Sequence, residues 1–345
     1  MSKIRALVID DSAMMRQLLK GMLDSDPEIE VVGTAMDPYI AREKIKRLNP
    51  DVLTLDIEMP KMDGLSFLKN LMRLRPMPVV MISTLTKKGA SETMRALELG
   101  AFDVVAKPTN DAANALGDYR EEIVEKVKAA ARAQVHRLKP VEALPETVVN
   151  DKAGDSADVS SAITAIGAST GGTEAIKEVL MGLGPASPGV VVAQHIPPVF
   201  SASFAKRLDQ CTPLNVWEAR DGEPVLNGHA YIAPGGKHLE IRSTEKGWLC
   251  VVTDGEPVNR HKPSVDVLFD SVATHAGDKA KGVMLSGMGD DGASGMSNMH
   301  KAGARTIAQD EDTSVVWGMP GSAVAAGGVD EILPIGEIAA RLKAG

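Results

Sequence analysis

Two spacings alternate along the first part of the chain. Short apolar runs near residues 4–9, 29–35, 51–56, 78–83 and 102–106 are each followed by a longer segment whose apolar positions recur at helical intervals. Runs of that length and uniformity read as strands buried on both faces, and the segments between them as amphipathic helices. Five β-α units imply a parallel sheet covered by helices on both sides. The last helix is predicted from Tyr119 to Leu138, with Ile123, Val124, Val127, Ala130 and Ala131 at helical spacing, and Lys139-Pro140 stops it.

The periodicity then lapses. Residues 140–158 combine Pro140, Pro145 and Gly154 with acidic and small residues, the composition of a linker. The predicted organisation is a first domain over 1–138, a linker over 139–158 and a second domain over 159–345. In the second domain, Ser161–Ala168, Gly189–Gln194, Lys281–Leu285 and Arg305–Ala308 read as buried strands separated by helices. Shorter runs with Gly and Pro turns over 214–253 predict an antiparallel excursion. The fold class is therefore α/β with two doubly wound domains, the second mainly parallel.

Composition narrows the function. A chain of 345 residues exceeds what one hydrophobic core usually organises, and 44% hydrophobic with 24% charged residues suffices for a core in each half. A net charge of −8 opposes nonspecific binding to nucleic acid or an anionic membrane. Cys211 and Cys250 lack metal-ligand spacing and read as reduced thiols of a cytoplasmic protein. The N-terminus enters a strand pattern at once, unlike a signal peptide, and no apolar stretch is long enough for membrane insertion.

In a parallel sheet, ligands gather beyond the carboxyl ends of the strands. Asp10 and Asp11 end the first predicted strand, Asp56 the third and Ser83 the fourth, and Lys107 follows the fifth. Three converging carboxylates repel unless a hard cation joins them, and oxygen ligands suit Mg²⁺. Asp56 could then accept a phosphoryl group whose oxygens Lys107 and the metal neutralise. With Met59-Pro60-Lys61-Met62-Asp63-Gly64 after Asp56, and Lys107-Pro108, residues 1–138 resemble a response-regulator receiver domain of flavodoxin-like fold. The resemblance implies that Asp56 is phosphorylated and that Asp10, Asp11, Asp56 and the backbone carbonyl of Glu58 hold Mg²⁺. It also implies that Ser83, rather than neighbouring Thr84, senses the phosphoryl group together with Lys107.

The second domain opens on Gly167-Ala168-Ser169-Thr170-Gly171, a G-x-S-x-G motif at a predicted strand-to-helix turn. In that setting Ser169 is a candidate nucleophile, although the same small residues, Gly167–Thr173, could cradle a phosphate at a helix N-terminus. His195, at the end of the next buried strand, is the best-placed base among seven histidines, with His261 a competitor at the site edge. The orienting acid would be Asp290 or Asp291, between which spacing does not choose. A Ser, His, Asp chain order departs from that of α/β-hydrolases and argues against that fold, not against the chemistry. A DNA-binding output fits poorly, since no compact helix-turn-helix pattern is present.

From Ala165 onward the chain resembles the catalytic domain of the CheB family of chemotaxis protein-glutamate methylesterases. The resemblance rests on Ile166–Gly172, Gln194-His195, Tyr231–His238, His261–Asp266 and Gly287–Gly292. It implies Ser169 as nucleophile, His195 as general base, Asp291 as its orienting acid, Met288 as an oxyanion donor through its backbone N–H, and Thr170 as an active-site neighbour. The implied activity is hydrolysis of glutamate methyl esters and deamidation of glutamine on methyl-accepting chemoreceptors, with no cofactor for the ester chemistry. A chemotaxis histidine kinase would supply the phosphoryl group, and phosphorylation of Asp56 would open access to the esterase cleft.

Overall fold

The computed structural model describes residues 3–59, 62–84, 86–108, 113–132 and 158–344. The linker predicted over 139–158, except Asp158, and the last turns of the helix predicted to reach Leu138 lie outside the described residues. The chain divides into two compact units, Met1–Val141 and Glu142–Gly345. No helix among the described residues is long and apolar enough to cross a membrane.

The first unit contains β1 (Ile4–Ile9), β2 (Ile29–Ala35), β3 (Val52–Asp56), β4 (Val79–Ser83) and β5 (Asp103–Ala106), joined by helices. They pair in parallel in the order β2-β1-β3-β4-β5. Every residue of β3 and β4 is buried, as expected of central strands covered on both faces. Each fully buried Val, Leu or Ile there contributes roughly 1.5–3 kcal/mol. Side-chain caps start the helices: Ser12 accepts from Met15 N, Asp37 from Tyr39 N and Ile40 N, and Asp63 from Ser66 N. All five strands thus run one way, and their carboxyl ends share one edge.

The second unit holds β6 (Ile163–Ala168), β7 (Gly189–Gln194), β8 (Asn215–Glu218), β9 (His229–Ile232), β10 (His238–Thr244), β11 (Gly247–Thr253), β12 (Ala280–Met284), β13 (Arg305–Gln309) and β14 (Glu331–Leu333). Seven form a parallel sheet in the order β14-β13-β12-β6-β7-β9-β8. The chain builds outward from β6 through β7, then returns to lay β12 on the other flank of β6. The order therefore reverses between β6 and β12, where α/β sheets place their ligands.

The small antiparallel excursion expected within 214–253 is one pair of strands. β8 and β9 join the main sheet in parallel, and only β10 and β11 form an antiparallel pair. The turn residues between β8 and β9 stitch the connection onto β11 instead of closing a hairpin: Gly222 N donates to Cys250 O, Cys250 N to Glu223 O, and Val225 N to Trp248 O. The β10–β11 ribbon is anchored to the helix Val265–His275 by Ile241 N to Ser271 Oγ and by Trp248 Nε1 to His275 O.

Candidate active site

β12, β6 and β7 are adjacent, so the loops after them meet at one edge. Ser169 follows β6, His195 follows β7, and the segment Leu285–Gly292 follows β12. Ser169 N donates to Ser286 O at 3.0 Å, and its carbonyl accepts from Gly172 N at 2.8 Å and Gln194 Nε2 at 2.8 Å. Gly171 takes φ +76°, and a Cβ there would lie 2.5 Å from Val315 Cβ, so the turn that presents Ser169 requires glycine on two counts.

His195 Nε2 lies 2.8 Å from Asp291 Oδ2. A carboxylate can only accept, so Nε2 carries the proton and the neutral ring keeps its lone pair on Nδ1. Nδ1 is buried and has no hydrogen-bond partner among the described residues. The His261 ring stacks on His195, centroids 3.6 Å apart and planes 12° from parallel, so it braces the imidazole rather than replacing it.

Asp291 is buried but well supplied with donors. Oδ1 accepts from Asn259 Nδ2 and Ser264 Oγ, each at 2.8 Å, and from Asp266 N at 3.4 Å; Oδ2 accepts from Val265 N at 2.7 Å as well as from His195. Burial alone would raise its pKa, yet the His195 ring N–H, Asn259 and Val265 together hold it well below the usual carboxylate range. It is therefore a fixed negative charge beside the imidazole. Asp290, one residue earlier, is exposed.

Gly287 runs directly beneath Ser169: a Cβ at Gly287 would sit 3.0 Å from Ser169 Cβ. The loop is clamped from the other side by Gly287 N to Val316 O, Met319 N to Gly287 O, and Ser286 Oγ to Thr170 O. Met288 follows on this clamped stretch, and its N–H has no acceptor among the described residues. Thr170 is buried beside Ser169.

At the corresponding edge of the first unit, carboxylate oxygens of Asp10, Asp11 and Asp56 lie within 4.8 Å of one another. Asp10 Oδ1 accepts from Ser12 N, whereas Oδ2 is buried, accepts no hydrogen bond among the described residues and has Lys107 Nζ at 3.2 Å. Lys107 Nζ donates to Asp56 Oδ2 at 2.8 Å. Burial, reinforced by Asp10, raises the Asp56 pKa to about 6 against the pull of Lys107. Three crowded carboxylates, with one oxygen outside any hydrogen bond among the described residues, are the donor set a hard divalent cation satisfies, so the residues present fit Mg²⁺. Gly64 explains the tight motif after β3: a Cβ there would lie 2.2 Å from the Asp56 carbonyl oxygen. Ser83 stands at the same edge, its hydroxyl accepting from Thr93 Oγ1 at 2.9 Å, while exposed Glu58 begins the turn after Asp56.

Residues 164–342 match the CheB methylesterase family, and residues 6–115 match the response regulator receiver domain. A protein-glutamate methylesterase/protein-glutamine glutaminase of Hydrogenovibrio crunogenus is 52% identical, across 100% of this chain and 99% of its own. One of Saccharophagus degradans is 54% identical across 99% of this chain and 98% of its own. The solved catalytic domain of Thermotoga maritima CheB methylesterase aligns with a TM-score of 0.52 at 38% identity, covering 53% of this chain and 98% of that one. The chain belongs to the CheB methylesterase family. It is a carboxylic-ester hydrolase carrying an N-terminal response-regulator receiver domain.

Within this CheB-family chain the remaining histidines have other tasks. His229 is buried against Asn227 O and Asn215 Nδ2, His238 bonds Glu256 O and Ser264 N, and His300 pairs with Asp330. His275 meets Ser243 Oγ, and His136 lies outside the described residues. Both cysteines are free thiols. Sequence reasoning missed Asn259, Ser264 and Gln194, which surround the His195–Asp291 pair. Gln194 and Ser264 lie within stretches that carry the family resemblance, which assigned neither a role, and Ser264, ahead of a helical period, caps the helix Val265–His275.

Proposed function

We propose that this chain hydrolyses glutamate methyl esters, and deamidates glutamine, on the signalling helices of methyl-accepting chemoreceptors, giving sensory adaptation in chemotaxis. The observation that carries the chemistry is the buried His195–Asp291 bond through Nε2, which leaves the unpartnered Nδ1 as base. Ser169 Oγ gives its proton to Nδ1 and attacks the ester carbonyl, while Asp291 stabilises the imidazolium. The Met288 N–H, with Thr170 beside it, receives the developing oxyanion. Collapse breaks the C–O bond, His195 returns the proton to the leaving methoxide, and methanol departs. Water, activated by His195, then releases the carboxylate and restores Ser169. For glutamine the same steps expel ammonia.

Regulation belongs to the first unit. Asp56 accepts a phosphoryl group from a chemotaxis histidine kinase, Lys107 neutralises its oxygens, and Ser83 exchanges Thr93 for the phosphoryl group. Mg²⁺, held by Asp10, Asp11, Asp56 and the Glu58 carbonyl, supplies further charge neutralisation when bound. Phosphorylation raises the esterase rate of the second unit.

The test is methanol release from a methylated receptor signalling domain, with and without a small-molecule phosphodonor and Mg²⁺. The wild type is expected to be stimulated and Asp56→Asn not. Equal rates under all conditions would remove the regulatory reading, and full activity in Ser169→Ala would remove the catalytic one.

A further inference from the structure

Gln194 is the last residue of β7, opposite Ala168 at the end of β6, and is 4% exposed. Its Nε2 donates to the carbonyl of Ser169 at 2.8 Å and to the carbonyl of His195 at 3.1 Å. Two carbonyl acceptors fix the orientation of the amide, because a flipped group would set Oε1 against both. Oε1 therefore faces Gly172, where a Cβ would lie 2.3 Å away, and it is buried with no partner among the described residues. An orphaned buried amide oxygen is destabilising, so what favours glutamine over an apolar side chain of similar length is its NH₂ group, which donates to both carbonyls.

The NH₂ group, by contrast, is fully employed at the two turns that carry the nucleophile and the base. With Gly172 N and Gln194 Nε2 both on the Ser169 carbonyl, that oxygen is fully occupied. The peptide joining Ser169 to Thr170 is planar and trans, so fixing its C=O aims the Thr170 N–H the opposite way. In a strand-turn-helix nucleophile turn, the N–H after the nucleophile is a donor to the oxyanion.

We infer that Gln194 is a positioning residue: it fixes the Ser169–Thr170 peptide so that the Thr170 N–H meets the transition-state oxyanion, and ties that peptide to the backbone of the base. The inference rests on the reading of Ser169 as nucleophile. Because it concerns transition-state geometry, loss of the NH₂ should act on kcat, not on KM.

The test uses the full chain with Gln194→Met, which keeps length but removes the donors, beside Ser169→Ala. Gln194→Met is expected to lose about 10- to 100-fold in kcat with KM changed less than about two-fold. Affinity for a boronic acid, which forms a tetrahedral anion on the serine, should fall in the same proportion, while the melting temperature falls only modestly, because relief of the orphaned Oε1 offsets part of the donor lost to the His195 carbonyl. A folded Gln194→Met with wild-type kcat and boronate affinity, alongside an inactive Ser169→Ala, would overturn the inference. An active Ser169→Ala would instead overturn the catalytic reading beneath it. If Gln194→Met does not fold, the unmodified chain decides: the Gln194 side-chain amide resonances should shift when the boronate adduct forms, and unmoved resonances overturn the proposal.

Discussion

Replacing Asp291 by asparagine changes one atom in a site where every neighbour is a donor. At the Oδ2 position the new NH₂ would face Val265 N and His195 Nε2, previously at 2.7 and 2.8 Å. The backbone N–H cannot turn, but the imidazole can shift its proton to Nδ1 and accept at Nε2, which destroys the base. At the Oδ1 position the NH₂ would oppose Asn259 Nδ2 and Asp266 N, and only the Ser264 hydroxyl could reorient. The imidazole then keeps its tautomer but loses the anion that stabilises its protonated form. Either way a buried donor is stranded, at about 1–3 kcal/mol of stability. The wrong tautomer costs about 10⁴ in kcat, or ~5.5 kcal/mol of barrier. Steady-state methanol release at saturating substrate measures this, with urea unfolding as the stability control. A folded Asp291→Asn within about tenfold of wild type would refute the reasoning. Asp290→Asn, at an exposed position, should stay within about two-fold.

Three further outcomes follow from the same geometry. Because burial raises the folded pKa of Asp56 from 3.8 to about 6, the metal-free first unit binds that proton more tightly folded than unfolded. The contribution of Asp56 to stability is therefore full below about pH 4 and is lost as pH rises to about 6, by at most ~3 kcal/mol, which should appear as the difference between the urea-midpoint pH profiles of the wild type and Asp56→Asn. Phosphorylation by a small-molecule donor, which needs the ionised carboxylate, should slow as pH falls through about 6 at limiting Mg²⁺, and a flat rate would contradict the buried-acid account. Gly171→Ala, forced to φ +76° against Val315, should lose more than about 1 kcal/mol of stability together with most of its activity, and unchanged melting would count against the strained turn.

Much of this site was legible because the chemistry sits where apolar runs stop. Asp10, Asp56, Ser169 and His195 each stand at or just beyond the end of a buried strand, and parallel pairing carries such ends to one edge whatever lies between. Neighbours such as Asp290 and Asp291 carry no such signal. Their difference is made by the chain reversal at Gly292, φ +90°, and by the donors of Asn259, Ser264 and Val265, which come from a distant loop. The direction of β9 was not legible for a related reason: Asp221-Gly222-Glu223-Pro224 has turn composition, but its backbone groups pair with β11 and let β9 lie parallel to β8. β14, three residues long and only partly buried, is too short to show a period.

In the proposed mechanism one acyl-enzyme on Ser169 serves both ester and amide. The most direct measurement offers hydroxylamine as a competing nucleophile during turnover of two receptor signalling domains, one with a glutamate methyl ester and the other with glutamine at the same position. A shared intermediate predicts the same ratio of hydroxamate to acid from both substrates, with neither product formed by Ser169→Ala. Different ratios, or hydrolysis at full rate without hydroxamate, would contradict it.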